Sequence, residues 1–145
     1  MKTIFVFIFA LFCFTSIKCS SWTWKDCGAG GDVAWVTTNI TFAESPVIGQ
    51  NATGGICMEN PSPVAWEISK IGVFSLNSAD ISTEFKDETQ LHQGESKCWN
   101  LIFPIPERVP QDLKVQIFFM SEWMIFGCGE VDFNFATSEK FLSFY

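Results

Sequence analysis

Four cysteines carry the most definite chemistry in this chain. Cys27 lies in Trp24-Lys25-Asp26-Cys27-Gly28 and Cys128 in Phe126-Gly127-Cys128-Gly129, so the pair brackets most of the sequence, with Cys57 and Cys98 between them. Cys13 and Cys19 belong to an N-terminal leader and are expected to leave with it. An even number of thiols in an exported chain implies two disulfides, and three connectivities are open. Zinc chemistry fits poorly, because the chain has no Cys-x-x-Cys and a single histidine. Catalysis has as little to use. His92 stands alone in Gln90-Leu91-His92-Gln93-Gly94, and no Gly-x-Ser-x-Gly elbow occurs. Glu84, Asp87 and Glu88 read as a solvated face rather than an acid/base pair. Gly28-Ala29-Gly30-Gly31-Asp32 lacks the strand, helix and lysine of a phosphate loop and reads as a turn. The chain is therefore expected to be no enzyme and to need no metal or cofactor. Two sequons, Asn39-Ile40-Thr41 and Asn51-Ala52-Thr53, make Asn39 and Asn51 candidates for glycosylation, whereas Asn60 is followed by Pro61 and does not qualify. An occupied Asn39 must face solvent, which sends Ile40 and Phe42 to the opposite side.

The leader sets the compartment. Lys2 precedes an apolar run from Ile4 to Phe14, too short to span a bilayer, and the polar Thr15-Ser16 follows. Residues 1–19 read as a signal peptide with cleavage between Cys19 and Ser21, and 20–145 as one domain. The roughly 125 residues that remain suit a single core. Loss of Lys2 and Lys18 makes the net charge of −7 more negative by two. A domain this acidic repels nucleic acid, so no nucleic-acid partner is expected. Secretion or delivery to the endolysosomal lumen follows from the leader, the cysteines and the sequons together.

The elements that must position these residues read as β throughout. Ile40-Thr41-Phe42 alternates and stops at Ser45-Pro46, with Gly49 closing a turn. Val64, Trp66 and Ile68 alternate with Ala65, Glu67 and Ser69 and declare one inner face. The register slips near Ile71-Gly72-Val73, where Gly72 suggests a bulge. Trp99, Leu101 and Phe103 alternate with Cys98, Asn100 and Ile102. Val115, Ile117 and Phe119 continue a period that begins at Leu113, and Val131 and Phe133 one that ends at Phe135. No stretch holds a 3.6-residue period over several turns. Short strands separated by turn signals imply an all-β, antiparallel β-sandwich. An ordinary immunoglobulin-like module is one form of it, and Cys57 and Cys98 flanking Trp66 mimic the inter-sheet bond of that class.

Several short strings in order resemble the ML family of lipid-recognition domains, which includes sterol-transfer and phosphatidylglycerol/phosphatidylinositol transfer proteins. Trp24-Lys25-Asp26-Cys27-Gly28 resembles its aromatic-x-Asp-Cys opening, and Ser45-Pro46-Val47-Ile48-Gly49 its Pro-x-x-x-Gly turn. Val109-Pro110-Gln111-Asp112-Leu113-Lys114-Val115 is similar to its Pro-led penultimate strand, and Gly127-Cys128-Gly129-Glu130-Val131 to its closing cysteine strand. The small local disulfide loops common in the family are missing. The resemblance implies pairing of Cys27 with Cys128, leaving Cys57 with Cys98. It also implies an immunoglobulin-like sandwich of two sheets with an apolar cavity between them, holding a sterol, phospholipid or glycolipid. The lining would be Val64, Trp66, Ile68, Trp99, Leu101, Phe103, Val115, Ile117, Phe119, Val131 and Phe133. Such a wall suits a ligand that cannot satisfy buried polar groups. Burying a sixteen-carbon chain would gain on the order of 12 kcal/mol before immobilisation costs.

Phe118 and Met120 fall on the face opposite Ile117 and Phe119. If the chain turns at Ser121-Glu122, then Trp123, Met124 and Ile125 form an apolar loop suited to transient membrane contact. The protein is expected to be a monomer. The competing reading is a tightly packed secreted sandwich that binds a protein partner through its surface and holds no lipid.

Overall fold

The computed structural model describes residues 16–28 and 35–135. The apolar leader run, the glycine-rich stretch after Gly28 and the tail from Ser138 lie outside the described residues. Among those described, the chain forms ten strands and no helix. Strands β1 (Cys19–Asp26), β5 (Lys70–Ser75), β6 (Ser82–Lys86), β9 (Asp112–Met120) and β10 (Ile125–Phe135) form a five-stranded antiparallel sheet in the order β1-β10-β9-β5-β6. Strands β2 (Val36–Phe42), β3 (Asn51–Glu59) and β8 (Ser96–Pro104) form the facing sheet in the order β2-β3-β8. A short ladder pairs β4 (Trp66–Glu67) with β7 (Gln90–Leu91). The expected all-β sandwich is therefore present.

Two-residue periodicity explains which faces meet. On β9, Leu113, Val115, Ile117 and Phe119 are buried while the residues between them are half-buried. Trp99, Leu101 and Phe103 are buried between exposed residues on β8, and Val131, Phe133 and Phe135 are buried on β10. Ile40, Ala52, Ile56 and Met58 complete the inner face of the smaller sheet. Ile40 is buried and Phe42 half-buried, whereas Asn39 is exposed.

The sheets approach most closely along β10. A Cβ on Gly129 would stand 2.7 Å from Ile56 Cδ1 and 3.0 Å from Ile40 Cδ1. Polar bonds fasten the same seam. Asp26 Oδ1 accepts from the Thr37 amide at 3.0 Å, Thr37 Oγ1 donates to the Cys128 carbonyl at 3.1 Å, and the Trp35 amide donates to the Phe126 carbonyl at 2.6 Å.

Both disulfides staple strands within a sheet. Cys27 bonds Cys128, Cα atoms 5.0 Å apart, and joins the end of β1 to β10. Cys57 bonds Cys98, Cα atoms 4.0 Å apart, as a directly opposed pair on β3 and β8. The second bond lies on the outer side of the smaller sheet and does not cross the core beside Trp66.

Two strand readings need correction. The expected Val64–Ile68 strand shrinks to Trp66–Glu67, and Val64 is 46% exposed instead of facing inward. Pro61 and Pro63 withhold amide donors there, and the backbone follows side-chain bonds instead. Asn60, fully buried, donates to the Val64 and Leu91 carbonyls at 2.8 Å and accepts from the Ser62 amide at 3.0 Å. At Gly72 there is no bulge, because β5 pairs continuously with both neighbours. A Cβ at Gly72 would collide with the Phe74 ring and with Met120 Cε, so glycine leaves room for side chains on the outer face.

At the start of β1, the Cys19 amide donates to Pro46 O at 2.7 Å and the Ile48 amide to Ile17 O at 2.9 Å. Cleavage between Cys19 and Ser21 would remove those bonds and leave the pairing of β1 from Ser21 onward.

Candidate functional site

Ten of the eleven expected lining residues converge between the sheets or beside them. Ile68, Trp99, Leu101, Phe103, Val115, Ile117, Phe119, Val131 and Phe133 are buried, and Trp66 is half-buried against them. Val64 alone stands away from the group. Aromatic rings fill the space in this form. At the end nearest the β9–β10 hairpin, the Trp99 and Phe119 ring centroids lie 4.7 Å apart, and Trp66 stacks on Phe126 at 5.0 Å. Trp35 lies 6.0–6.3 Å from Trp99, Phe119 and Phe126. At the opposite end, Phe42 meets Phe133 and Trp22 edge-on at 5.1 Å, and Phe103 at 6.5 Å.

Several of these residues escaped the sequence reading as lining candidates. Trp35 stands three residues after the Gly28–Asp32 turn, so no alternation leads up to it. Phe126 hides in the cysteine string. Trp22 and Trp24 pair with Phe133 and Val131 and therefore share the inner face of β1. Their two-residue spacing was the available signal. Trp24 remains 37% exposed because β1 is an edge strand.

The three indoles at the hairpin end differ in their polar contacts. Trp99 Nε1 donates to Asp87 Oδ2 at 3.1 Å, and Lys97 Nζ sits 5.1 Å from its ring centroid. Trp35 Nε1 and Trp66 Nε1 are buried and meet no acceptor among the described residues. A buried donor left in that state costs about 1–3 kcal/mol.

The hairpin tip is open. Trp123 is 88% exposed, Met124 51% and Ile125 43%. Ser121 shapes the turn: its amide donates to Met124 O at 2.8 Å, and its hydroxyl accepts from the Met124 amide at 3.2 Å. Lys70 and Met120 join the tip residues around a groove of about 250 Å³. Behind it on the outer face, Phe74 and Phe118 lie 6.0 Å apart beside half-buried Met120. The expectation of an apolar tip following Met120 is met in placement.

Asn39 and Asn51 project from the outer face of the other sheet. Asn39 pairs with Cys57, two-residue steps along β3 connect that position to Asn51, and both asparagines are exposed. Among the described residues, larger grooves of about 310 Å³ also lie outside the core. One runs over β1, β9 and β10, lined by Ser21, Trp22, Thr23, Asp112, Lys114, Asp132, Phe133 and Asn134, and the other follows the β2–β3 turn.

One carboxylate is nearly enclosed on the outer face of the larger sheet. Glu130 accepts from Lys25 Nζ at 2.9 Å and from Gln116 Nε2 at 2.8 Å. Burial pushes its carboxyl up, but the Gln116 and Lys25 hydrogen bonds and the Lys25 and Lys114 charges outweigh burial and hold it below the ordinary value. The Glu130 hydrogen bond and charge hold Lys25 above its own. His92 lies on an exposed turn, where its amide donates to Glu95 Oε2 at 2.7 Å.

No family model matches this chain, and no curated protein matches it.

Proposed function

We propose that this protein is a secreted or endolysosomal lipid-binding and lipid-transfer protein that holds a sterol, phospholipid or similar lipid between its two sheets. The observation that carries this reading is how the sandwich is held. Each sheet is covalently stapled within itself, and no described disulfide crosses the apolar interior. Side chains without polar demands fill the space between Phe103, Leu113, Val115 and Phe133. Parting the sheets therefore breaks apolar contacts that an acyl chain or a sterol can replace at similar cost. The seam along Gly129 and Thr37 acts as the fixed side of such an opening. The two disulfides are compatible with an extracellular or lumenal location. The ordered strings resembling the ML family support the same function.

In this reading Trp123, Met124 and Ile125 touch the bilayer transiently during loading. Glycans on Asn39 and Asn51 would project from the opposite sheet and leave that approach free. A single copy suffices to enclose the ligand.

The test is a native lipid extract. Protein purified from its host should yield stoichiometric lipid by mass spectrometry and bind a fluorescent sterol or phospholipid. A preparation with no lipid and no binding of either probe would overturn the proposal. One observation favours a second reading. The rings already close the interior, and an apolar stripe of Phe74, Phe118 and Met120 lies on the outer face. That arrangement suits a secreted interaction module with a protein partner, and such a module would fail the lipid test.

A further inference from the structure

We propose that the Trp35 and Trp66 indole N–H groups form the polar end of the lipid site and donate to an uncharged oxygen, a hydroxyl or ester carbonyl, at the head of the ligand. The inference rests on the lipid reading above and adds the ligand's polarity and its orientation.

Trp35 is wholly buried, and among the described residues neither its Nε1 nor that of Trp66 reaches an acceptor. Both rings pack on Phe126, at 6.3 and 5.0 Å, so the two donors belong to one aromatic cluster. The neighbouring Trp99 shows that this cluster can be served from within, since Asp87 accepts its N–H. Buried donors are ordinarily paired, and an indole offers only a donor, so the missing partner must be an acceptor. An acyl chain or hydrocarbon ring offers none, which restricts the ligand's contribution to its head. A charged head fits less well. Lys97, which lies over the Trp99 ring, already donates to Thr89 at 2.7 Å, and a buried phosphate or carboxylate without a cation of its own would stay uncompensated. The position also suits a head. Trp66 is half-buried and follows the exposed Val64 loop, at the same end as the hairpin tip. The apolar body would then run toward Phe103 and Phe133.

The test pairs probes that differ only in the oxygen, measured by displacement of a fluorescent reporter from the full mature chain. Cholestanol against cholestane reads a sterol hydroxyl, and methyl palmitate against octadecane, equal in chain length, reads an ester carbonyl. In at least one pair, wild type should bind the oxygenated probe about tenfold more tightly than its hydrocarbon. Trp66→Phe keeps the ring and removes the N–H. It should abolish most of that preference, with the oxygenated probe losing clearly more affinity than its hydrocarbon. Trp35→Phe should do the same. Should that variant not fold, the indole resonances of wild type decide, because both should move downfield with the oxygenated probe and not with the hydrocarbon. Equal binding within both pairs, or an equal loss for both members of a pair in Trp66→Phe, would overturn the proposal while sparing the lipid reading. Binding of no probe by wild type would overturn both.

Discussion

The two ends of the sandwich interior contain similar numbers of aromatic rings and make opposite use of them. Around Phe42, Phe103 and Phe133 the rings meet edge to face, and these phenylalanines bring no polar atom to satisfy, while Trp22 beside them is half-buried on the edge strand. Around Trp35, Trp66 and Trp99 each ring brings an N–H, and one of the three is paired. Area burial alone would rank the ends as equals. Hydrogen-bond accounting separates them, because an unpaired buried donor costs about as much as burying a small apolar side chain gains. The hairpin end also carries the exposed tip and both disulfides, Cys98 standing next to Trp99. The Phe133 end thus presents an apolar wall with no polar demand, and the Trp66 end two buried donors that meet no acceptor among the described residues.

The largest expected effect tests the covalent hold on the hairpin end. Replacing Cys27 and Cys128 together by serine releases a loop spanning 101 residues, and should cost about 4.7 kcal/mol on the chain-entropy account. The loop of Cys57 and Cys98 spans 41, and its loss should cost about 4 kcal/mol. Denaturant unfolding of the two double variants checks the order; the reverse order would mean that Cys27–Cys128 does not organise its end.

Phe133→Ala should cost about 3–4 kcal/mol, because the ring is fully buried and makes the apolar end a packed core. A much smaller loss would show that this end is loose as well, and the contrast between the ends would fail.

Trp123→Ser with Met124→Ser should leave stability within about 0.5 kcal/mol, since both side chains are largely exposed. The same variant should slow vesicle-to-vesicle lipid transfer and leave lipid affinity intact. Unchanged transfer would remove membrane contact from the tip.

Glu130→Gln, on the outer face between the ends, should have the smallest effect and a definite pH dependence. The native carboxyl titrates below its ordinary value of 4.5, so its contribution is present above that pH and is lost as pH falls through the folded value. Wild type should exceed the variant in thermal stability at pH 7 and still at pH 5. The difference should vanish in stronger acid. A difference already gone at pH 5 would contradict the bonding of Glu130 to Gln116 and Lys25.

The strands with clean alternation were legible. Trp99-Leu101-Phe103 and Leu113 through Phe119 turn inward as their period demands, because a paired strand has only two faces. Val64 misled because local chemistry overrode its pattern: the prolines and the buried Asn60 hold that segment as a loop. Gly72 misled in the other direction, since a glycine in a strand marks a bulge or a close approach and only the positions of Phe74 and Met120 distinguish them. Trp35 was illegible because its partners, Phe126 and Phe119, stand far along the chain.

By itself the sequence determined an all-β chain, the four cysteines available for bonding and most of the inner faces, because those follow from two-residue periodicity and thiol chemistry. Tertiary structure decided the rest. It confined each disulfide to one sheet, set Gly129 where the sheets close, and left two of three neighbouring indoles without an acceptor among the described residues, because all of these depend on which distant strands are brought together.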